Sequence, residues 1–146
     1  VMLQREVVAR MTAAPATADY GRLSVMLQST FAVTRLFTVP GGAFRPAPKV
    51  ESAVARLVPL GTAKPAIADR TVFARVVGAA FSQRRKTLRN ALSAVCDAGA
   101  IEAAGIDPRA RGETLSVTQF VRLANLLAQS GELMNDPLDI LTGGDA

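Results

Sequence analysis

The chain has no histidine, and this absence excludes more classes of function than any other feature of its composition. Ser-His-Asp and Cys-His sites need an imidazole as general base, and His-ligated metal centres need it as a ligand. Cys96 is the single cysteine, so an internal disulfide is excluded and a reducing compartment is favoured. No apolar run is long enough to span a membrane. We therefore predict a cytoplasmic protein with no bound metal and no membrane partner.

Arginine and apolar residues are what the sequence has in abundance. Hydrophobic residues make up 49% of the 146 positions, which is enough for one domain or for two small ones. The formal net charge is +5, and 14 of the 17 basic residues are arginine. Residues 70–96 hold six basic residues and no acid, whereas residues 132–146 hold four acids and no base. Because arginine pairs bidentately with phosphate, this pattern favours a polyanionic partner, nucleic acid first, over a basic protein with no such partner.

Apolar spacing predicts mixed α and β structure in the first part of the chain. Residues 1–13 have the pattern of an amphipathic helix, and residues 23–31 fit either a short helix or a strand. Two strand-like segments follow, 33–39 and 50–58, and they predict an antiparallel hairpin. A linker is predicted at 61–69, where Pro and Gly interrupt the pattern.

The rest of the chain is predicted to be helical. The pattern places helices at 71–82 and 83–95 and a short helical turn at 101–104. Ser116 and Gln119 have the spacing of a capping box, which opens a further helix to about residue 129. The acidic end is expected to fray.

The segment between the predicted strands places an aromatic ring beside two cations. Its sequence is Phe44-Arg45-Pro46-Ala47-Pro48-Lys49, and its two prolines stiffen the backbone. A flat ring held on a rigid loop next to positive charge suits the stacking of an unpaired base. The alternative is an aromatic residue that covers the edge of the core, and the residues alone leave both interpretations open.

Four cations are packed into six residues at Arg84, Arg85, Lys86 and Arg89. On the predicted helix Arg85 and Arg89 would share one face while neighbouring leucines point into a core, which gives a cationic ridge suited to a phosphate backbone. The alternative is an ordinary solvated face. A second small basic cluster, Arg109 and Arg111, is predicted on a loop, where ordinary solvation is the alternative that the residues alone favour.

Three motifs resemble a known family in the expected order and spacing. They read FRPAPKVESAV, FSQRRKTLRNAL and GIDPRARGETLSVTQFVRLANLL, and MLQREVVARM and YGRLSVMLQ support them. The chain resembles the ribosomal RNA adenine dimethyltransferases over about residues 1–130. The nearest type is the bacterial small-subunit enzyme whose loss confers kasugamycin resistance.

The resemblance implies that the chain is the C-terminal portion of such an enzyme, because the family's Gly-rich cofactor loop and Asn-Leu-Pro-Tyr motif are not in this sequence. The implied fold class is α+β. Residues 1–60 would end a Rossmann-like methyltransferase domain, 61–69 would be a linker, 70–130 an all-helical RNA-docking domain and 131–146 an acidic tail. S-adenosylmethionine would serve the full-length enzyme, and none is expected on this chain by itself.

The resemblance also implies a reaction and a partner. Two methyl groups would be transferred to N6 of each of two adjacent adenines in the 3′-terminal hairpin loop of 16S ribosomal RNA, within the small ribosomal subunit. Phe44 would stack on the flipped-out adenine, at a site where stacking offsets part of the cost of flipping. The implied or expected RNA contacts are Arg45, Lys49, Arg84, Arg85, Lys86, Arg89, Arg109 and Arg111. Two rival hypotheses are a non-catalytic RNA-binding or ribosome-assembly module and a methyltransferase for large-subunit RNA.

Overall fold

The computed structural model describes residues 1–40, 42 and 51–131. The chain divides into two compact units at the Pro65–Ala66 bond, which lies inside the segment predicted as a linker. Phe44, Arg45, Lys49 and the acidic residues 132–146 lie outside the described residues. Within the part that the structure describes, no helix combines the length and the apolar character that crossing a membrane requires.

The first unit contains a three-stranded antiparallel sheet. Its strands are β1 (Met2–Gln4), β2 (Phe31–Val39) and β3 (Ser52–Pro59), arranged in the order β1-β3-β2. The hairpin of β2 and β3 confirms the sequence prediction, since Val33 pairs with Leu57 and Val39 with Ser52. A β-bulge at Leu36 interrupts the register between Arg35 and Phe37. Bulges of this kind bend a strand and increase its twist.

The prediction of a helix from residue 1 is wrong, because the first residues form β1. Met2 pairs with Val54 and Gln4 with Ser52, so these residues complete the sheet beside β3. The helix α1 begins only at Arg5 and ends at Thr12. A three-residue strand is too short to show a period, and its partner is about fifty residues away, as the pairing shows.

Two helices cover one face of the sheet. α1 and α2 (Arg22–Gln28) pack over the core that Val8 and Met11 form with Ala53 and Ala55 of β3. The amide of Gln28 donates to the carbonyls of Met11 and Ala13, both at 2.9 Å, and so satisfies the C-terminal end of α1. Of the two structures that the sequence left open for residues 23–31, the helix is confirmed up to Gln28, whereas Phe31 already belongs to β2.

Several large apolar side chains of this unit remain exposed. Leu36 and Phe37 at the bulge are 52% and 56% exposed, and Met2 and Val58 are also exposed. Neighbouring apolar residues that stay in water mark a surface suited to contact with other protein.

The second unit, over its described residues 66–131, is built from four α-helices and a 3-10 turn. The helices are α3 (Arg70–Ser82), α4 (Leu88–Ala91), α5 (Ala98–Ala103) and α6 (Val117–Ser130), and the turn spans Gly112–Thr114. Asp69 caps α3 by accepting from the N–H groups of Thr71 and Val72. The predicted capping box of α6 is confirmed. The Gln119 N–H donates to Ser116 Oγ at 3.2 Å, and the Ser116 N–H donates to Gln119 Oε1 at 2.9 Å.

The core of the second unit lies between α3 and α6. Phe73, Val76 and Val77 of α3 are buried, as are Phe120, Leu123 and Leu127 of α6. The rings of Phe81 and Phe120 lie 5.6 Å apart at a tilt of 41°. This contact joins the last turn of α3 to the first turn of α6, and farther along α6 the Asn125 side chain bonds to the backbone of Ala66 and Ala68 just before α3. The two helices therefore run antiparallel.

The predicted helix over 83–95 is wrong. Only Leu88–Ala91 is α-helical, and residues 83–87 form a turn. The N–H groups of Leu88 and Arg89 bond to the carbonyls of Ala110 and Pro108, whereas a continuous helix would use carbonyls four residues earlier. The predicted face shared by Arg85 and Arg89 therefore does not exist.

Candidate nucleic-acid interface

Arg84, Arg85 and Lys86 lie in the turn that follows α3, and all three are exposed. The Lys86 N–H donates to the Gln83 carbonyl at 2.9 Å, which closes the turn. Together with Gln83 the three cations line a shallow depression in the surface. Because these residues lie in a turn and not in a helix, the cations border the depression and do not form a row along a helix face.

Arg109 and Arg111 lie in the loop before the 3-10 turn, and Asp107 shapes this loop. The Asp107 carboxylate accepts the Arg109 N–H at 2.9 Å and lies 3.5 Å from Arg109 Nε. The backbone hydrogen bond, followed by the charge of Arg109, lowers the pKa of Asp107 below its ordinary value. The bond from the Arg109 N–H to the Asp107 carboxylate holds the loop in an Asx turn.

The structure brings the two basic segments together. Thr87 and Arg111 form an antiparallel β-bridge. On one side of it the Leu88 N–H reaches the Ala110 carbonyl at 2.7 Å, and the Arg89 N–H reaches the Pro108 carbonyl at 2.9 Å. We call the resulting patch the joined basic surface. Its six exposed cations are Arg84, Arg85, Lys86, Arg89, Arg109 and Arg111.

The joined basic surface has a rigid support beneath it. Gly112 is buried against α3, and a Cβ added there would lie 3.1 Å from both the Cβ and the carbonyl oxygen of Ala80. The Thr114 N–H donates to the Arg111 carbonyl at 3.0 Å and closes the 3-10 turn, and Leu115 just after the turn is buried. The backbone of the loop is thus held at both ends, which fixes the points from which its cations extend.

Two carboxylates accompany the cations. Besides Asp107, Glu113 lies with Oε2 3.3 Å from Arg84 Nε, and these two side chains are 26% and 41% exposed. Sequence reasoning missed both acids and Gly112. Asp107-Pro108 was visible as a break in the pattern, but nothing local connects Glu113 to a residue 29 positions earlier in the sequence.

The first unit offers a second charged depression, lined by Gln4, Arg5, Glu6 and Glu51. Arg5 binds Glu51 through its side chain at 2.7 Å and through its backbone N–H at 2.9 Å. The predicted contacts Phe44, Arg45 and Lys49 belong to the neighbouring stretch outside the described residues.

The described residues do not fit S-adenosylmethionine or a metal ion. β1 passes directly from Gln4 into α1 at Arg5, so the Gly-rich strand-to-helix turn that cradles such a cofactor is missing there. Arg5 and Glu51, the charges beside this junction, already pair with each other. Over the described ranges no three His, Cys, Asp or Glu side chains cluster as metal ligands would.

Comparison with solved structures places the fold among the methyltransferases. A dimethyladenosine transferase from Plasmodium falciparum matches 92% of this chain and 58% of its own, with a TM-score of 0.78 and 20% identity. The 23S rRNA methyltransferase ErmE matches 88% of this chain and 53% of its own, with a TM-score of 0.55 and 26% identity.

The family model for Ribosomal RNA adenine dimethylase matches residues 1–129, and the chain belongs to this family. It is 62% identical over 125 residues to Ribosomal RNA small subunit methyltransferase A from Xanthomonas campestris pv. campestris. The protein of the same name from Xanthomonas axonopodis pv. citri is 61% identical over 125 residues. Each match covers 86% of this chain and 48% of the relative, so the chain spans about half the length of these curated relatives.

Proposed function

We propose that the chain is the RNA-facing C-terminal part of a small-subunit ribosomal RNA adenine dimethyltransferase. In this proposal the second unit is an all-helical domain that docks on 16S ribosomal RNA through the joined basic surface. Residues 1–60 complete a Rossmann-like methyltransferase domain, 61–69 link the two domains, and 131–146 form an acidic tail. The proposed compartment is the cytoplasm.

The observation that carries the proposal is the meeting of the two basic segments on one exposed surface. Six cations there outnumber the two carboxylates that pair with them. Their guanidinium groups match phosphate geometry, and each neutralised phosphate releases counterions. Surfaces that bind unpaired bases usually present exposed aromatic rings. The described part of the joined basic surface presents none, and Phe81, at the end of α3, packs on Phe120. The surface therefore suits the backbone of folded RNA.

Small-subunit RNA is favoured over large-subunit RNA by the comparisons. The relatives named for the small subunit are 61–62% identical, whereas ErmE, named for 23S rRNA, is 26% identical. Membership in the dimethylase family likewise favours methyl transfer over a purely binding module.

The exposed apolar residues of the first unit support its place in a larger domain. Leu36, Phe37, Met2 and Val58 are exposed, as expected of apolar residues that contact another part of a larger domain. Among the described strands β1 pairs with β3 alone, which leaves its other edge for a further strand.

The proposed chemistry divides between this chain and the rest of the enzyme. S-adenosylmethionine supplies the methyl groups, and it is held outside this chain. Phe44 is proposed to stack on the target adenine, with Arg45 and Lys49 as nearby RNA contacts. These three assignments rest on the family resemblance and stay predictions.

Removing the cations of the turn tests the docking proposal. In the complete enzyme, replacing Arg84, Arg85 and Lys86 with Ala should weaken binding to purified small ribosomal subunits about tenfold or more. It should also reduce the slope of log affinity against log salt by about two to three, because each lost phosphate contact removes roughly 0.7–0.9 from the slope. Filter binding over a salt series measures both quantities.

A matched control removes the same charge elsewhere. Arg10, Arg22 and Lys64 are exposed and lie in the first unit, so their replacement with Ala should change the affinity and the slope much less. Equal effects of the two triple variants would show that these cations act only through the net charge of the protein. That result would refute the docking proposal.

A further inference from the structure

Asn125 lies on α6 and uses both groups of its side-chain amide to hold a stretch of backbone that is distant in the sequence. Its Nδ2 donates to the Ala66 carbonyl at 2.7 Å, and its Oδ1 accepts the Ala68 N–H at 2.9 Å. A carbonyl and an N–H two residues apart point to the same side of an extended chain, so one planar amide can bond to both. The two bonds therefore fix the backbone of residues 66–68 against α6.

The helix that carries Asn125 is firmly packed, whereas the backbone that it holds is at the surface. Leu123 and Leu127 are completely buried, and Asn125 between them is half-buried. Ala66 and Ala68 are exposed. Because water can reach their backbone groups, the amide is not needed to satisfy buried donors or acceptors. What the amide adds is a fixed position for this stretch of chain.

The stretch that Asn125 holds is the first part of the second unit. The units divide at the Pro65–Ala66 bond, and residues 66–68 follow this bond directly. Asp69 comes next and caps α3. The backbone is therefore held from Ala66 into the helix.

The first unit holds its own last residues by backbone hydrogen bonds. The Leu60 N–H donates to the Thr30 carbonyl at 3.0 Å, and the Lys64 N–H donates to the Gly61 carbonyl at 3.2 Å. The residues between this hold and that of the second unit are 64–66, three instead of the nine that the sequence predicts for the linker. The free part of the connection is therefore short.

We propose that Asn125 is a positioning residue for methyl transfer, which acts by keeping the connection between the RNA-docking and methyl-transferring parts of the enzyme short. This inference rests on the proposed function and deepens it. A docked second unit holds the rest of the enzyme near the target bases at an effective concentration that falls roughly as the −3/2 power of the free linker length. Without the amide the free chain would be residues 64–68, five in place of three, which lowers the effective concentration about twofold.

The test compares Asn125→Ala with Gln129→Ala in the complete enzyme. Gln129 is an exposed amide one turn farther along α6, so each variant removes an amide from the same helix. Methylation of purified small ribosomal subunits is measured as a single turnover with the enzyme in saturating excess, because this rate constant does not depend on the fraction of enzyme that is folded. Asn125→Ala should lower the rate constant about twofold and leave subunit affinity unchanged, since the joined basic surface is intact. Gln129→Ala should change neither quantity.

A lengthened connection separates positioning from a merely structural role. Twelve Gly and Ser residues inserted between Lys64 and Pro65 should lower the single-turnover rate constant about tenfold and leave subunit affinity unchanged. On this longer connection, two further free residues change the effective concentration only about 1.2-fold. Asn125→Ala should therefore have almost no additional effect there, so the two changes should not be additive.

Two results would overturn the inference. One is an unchanged single-turnover rate constant for Asn125→Ala on the natural connection. The other is an equal loss from Asn125→Ala on the natural and the lengthened connections, which is the behaviour of a residue that acts only through the fold of the second unit. Failure of the proposed function is a different result, since the unmodified enzyme would then not methylate small ribosomal subunits.

Discussion

Tyr20 is completely buried in the segment between α1 and α2, although its phenol can ionise. Burial disfavours the charged phenolate and raises the pKa of Tyr20 to about 12 from its ordinary value of 10.0. Because the pKa of the folded state lies above that of the unfolded state, the contribution to stability is complete below pH 10. It is lost as the pH rises from about 10 to about 12.

The free energy of unfolding should therefore fall over this alkaline range, and Tyr20→Phe should remove the part of the fall that is due to the phenol. Tyr20 is the only tyrosine, and the chain has no tryptophan, so tyrosinate absorbance reports on this residue alone. We expect a titration midpoint near pH 12 in the folded protein and near pH 10 in urea. A folded-state midpoint near 10 would show that the ring is solvated.

At the scale of elements, the 3-10 turn Gly112–Thr114 packs against α3 beneath the joined basic surface. Replacing Gly112 with Ala would press a methyl group against Ala80, since the Cβ would lie 3.1 Å from two of its atoms. One of these atoms is a backbone oxygen of α3, which cannot move without disturbing the helix. The added methyl group must therefore strain either the turn or α3.

We expect Gly112→Ala to lower the free energy of unfolding by about 1–3 kcal/mol, as overpacking of a close contact does. Urea denaturation measures the change. Gly42→Ala is the control, because nothing among the described atoms lies within 4 Å of a Cβ added there. Equal stability of the two variants would mean that the turn yields freely and does not support the joined basic surface.

The elements that could be predicted from the sequence are those with local signals. The helix predicted over 71–82 is observed as Arg70–Ser82, and the helix that opens at the Ser116 capping box is observed as Val117–Ser130. Two elements could not be predicted, because their hydrogen-bond partners are distant in the sequence. β1 pairs with β3, and the turn 83–87 leads into bonds with the loop at 107–111. Apolar periodicity contains no information about either partner.

The same limit applies to the candidate site. The exposed cations Arg84, Arg85, Lys86 and Arg89 could be identified from charge density, and Arg109 and Arg111 from their spacing. Their union on one surface depends on the bridge between Thr87 and Arg111, which no local pattern predicts. The contacts of Glu113 with Arg84 and of Gly112 with Ala80 likewise join residues that are distant in the sequence.

At the scale of the whole molecule, the two units carry different kinds of exposed surface. The described residues of the second unit carry the joined basic surface, while the first unit carries exposed apolar residues of a small sheet. We infer a division of labour in which the second unit binds RNA and the first completes the domain that acts on the base.

The most direct test of the joined basic surface is the salt dependence of binding by the variant Arg109→Ala with Arg111→Ala. These two cations are tied to the turn after α3 only by the observed fold. If the six cations act as one surface, the affinity for small ribosomal subunits should fall and the salt slope should decrease by about one to two. Unchanged affinity and an unchanged slope would contradict a single RNA-binding surface.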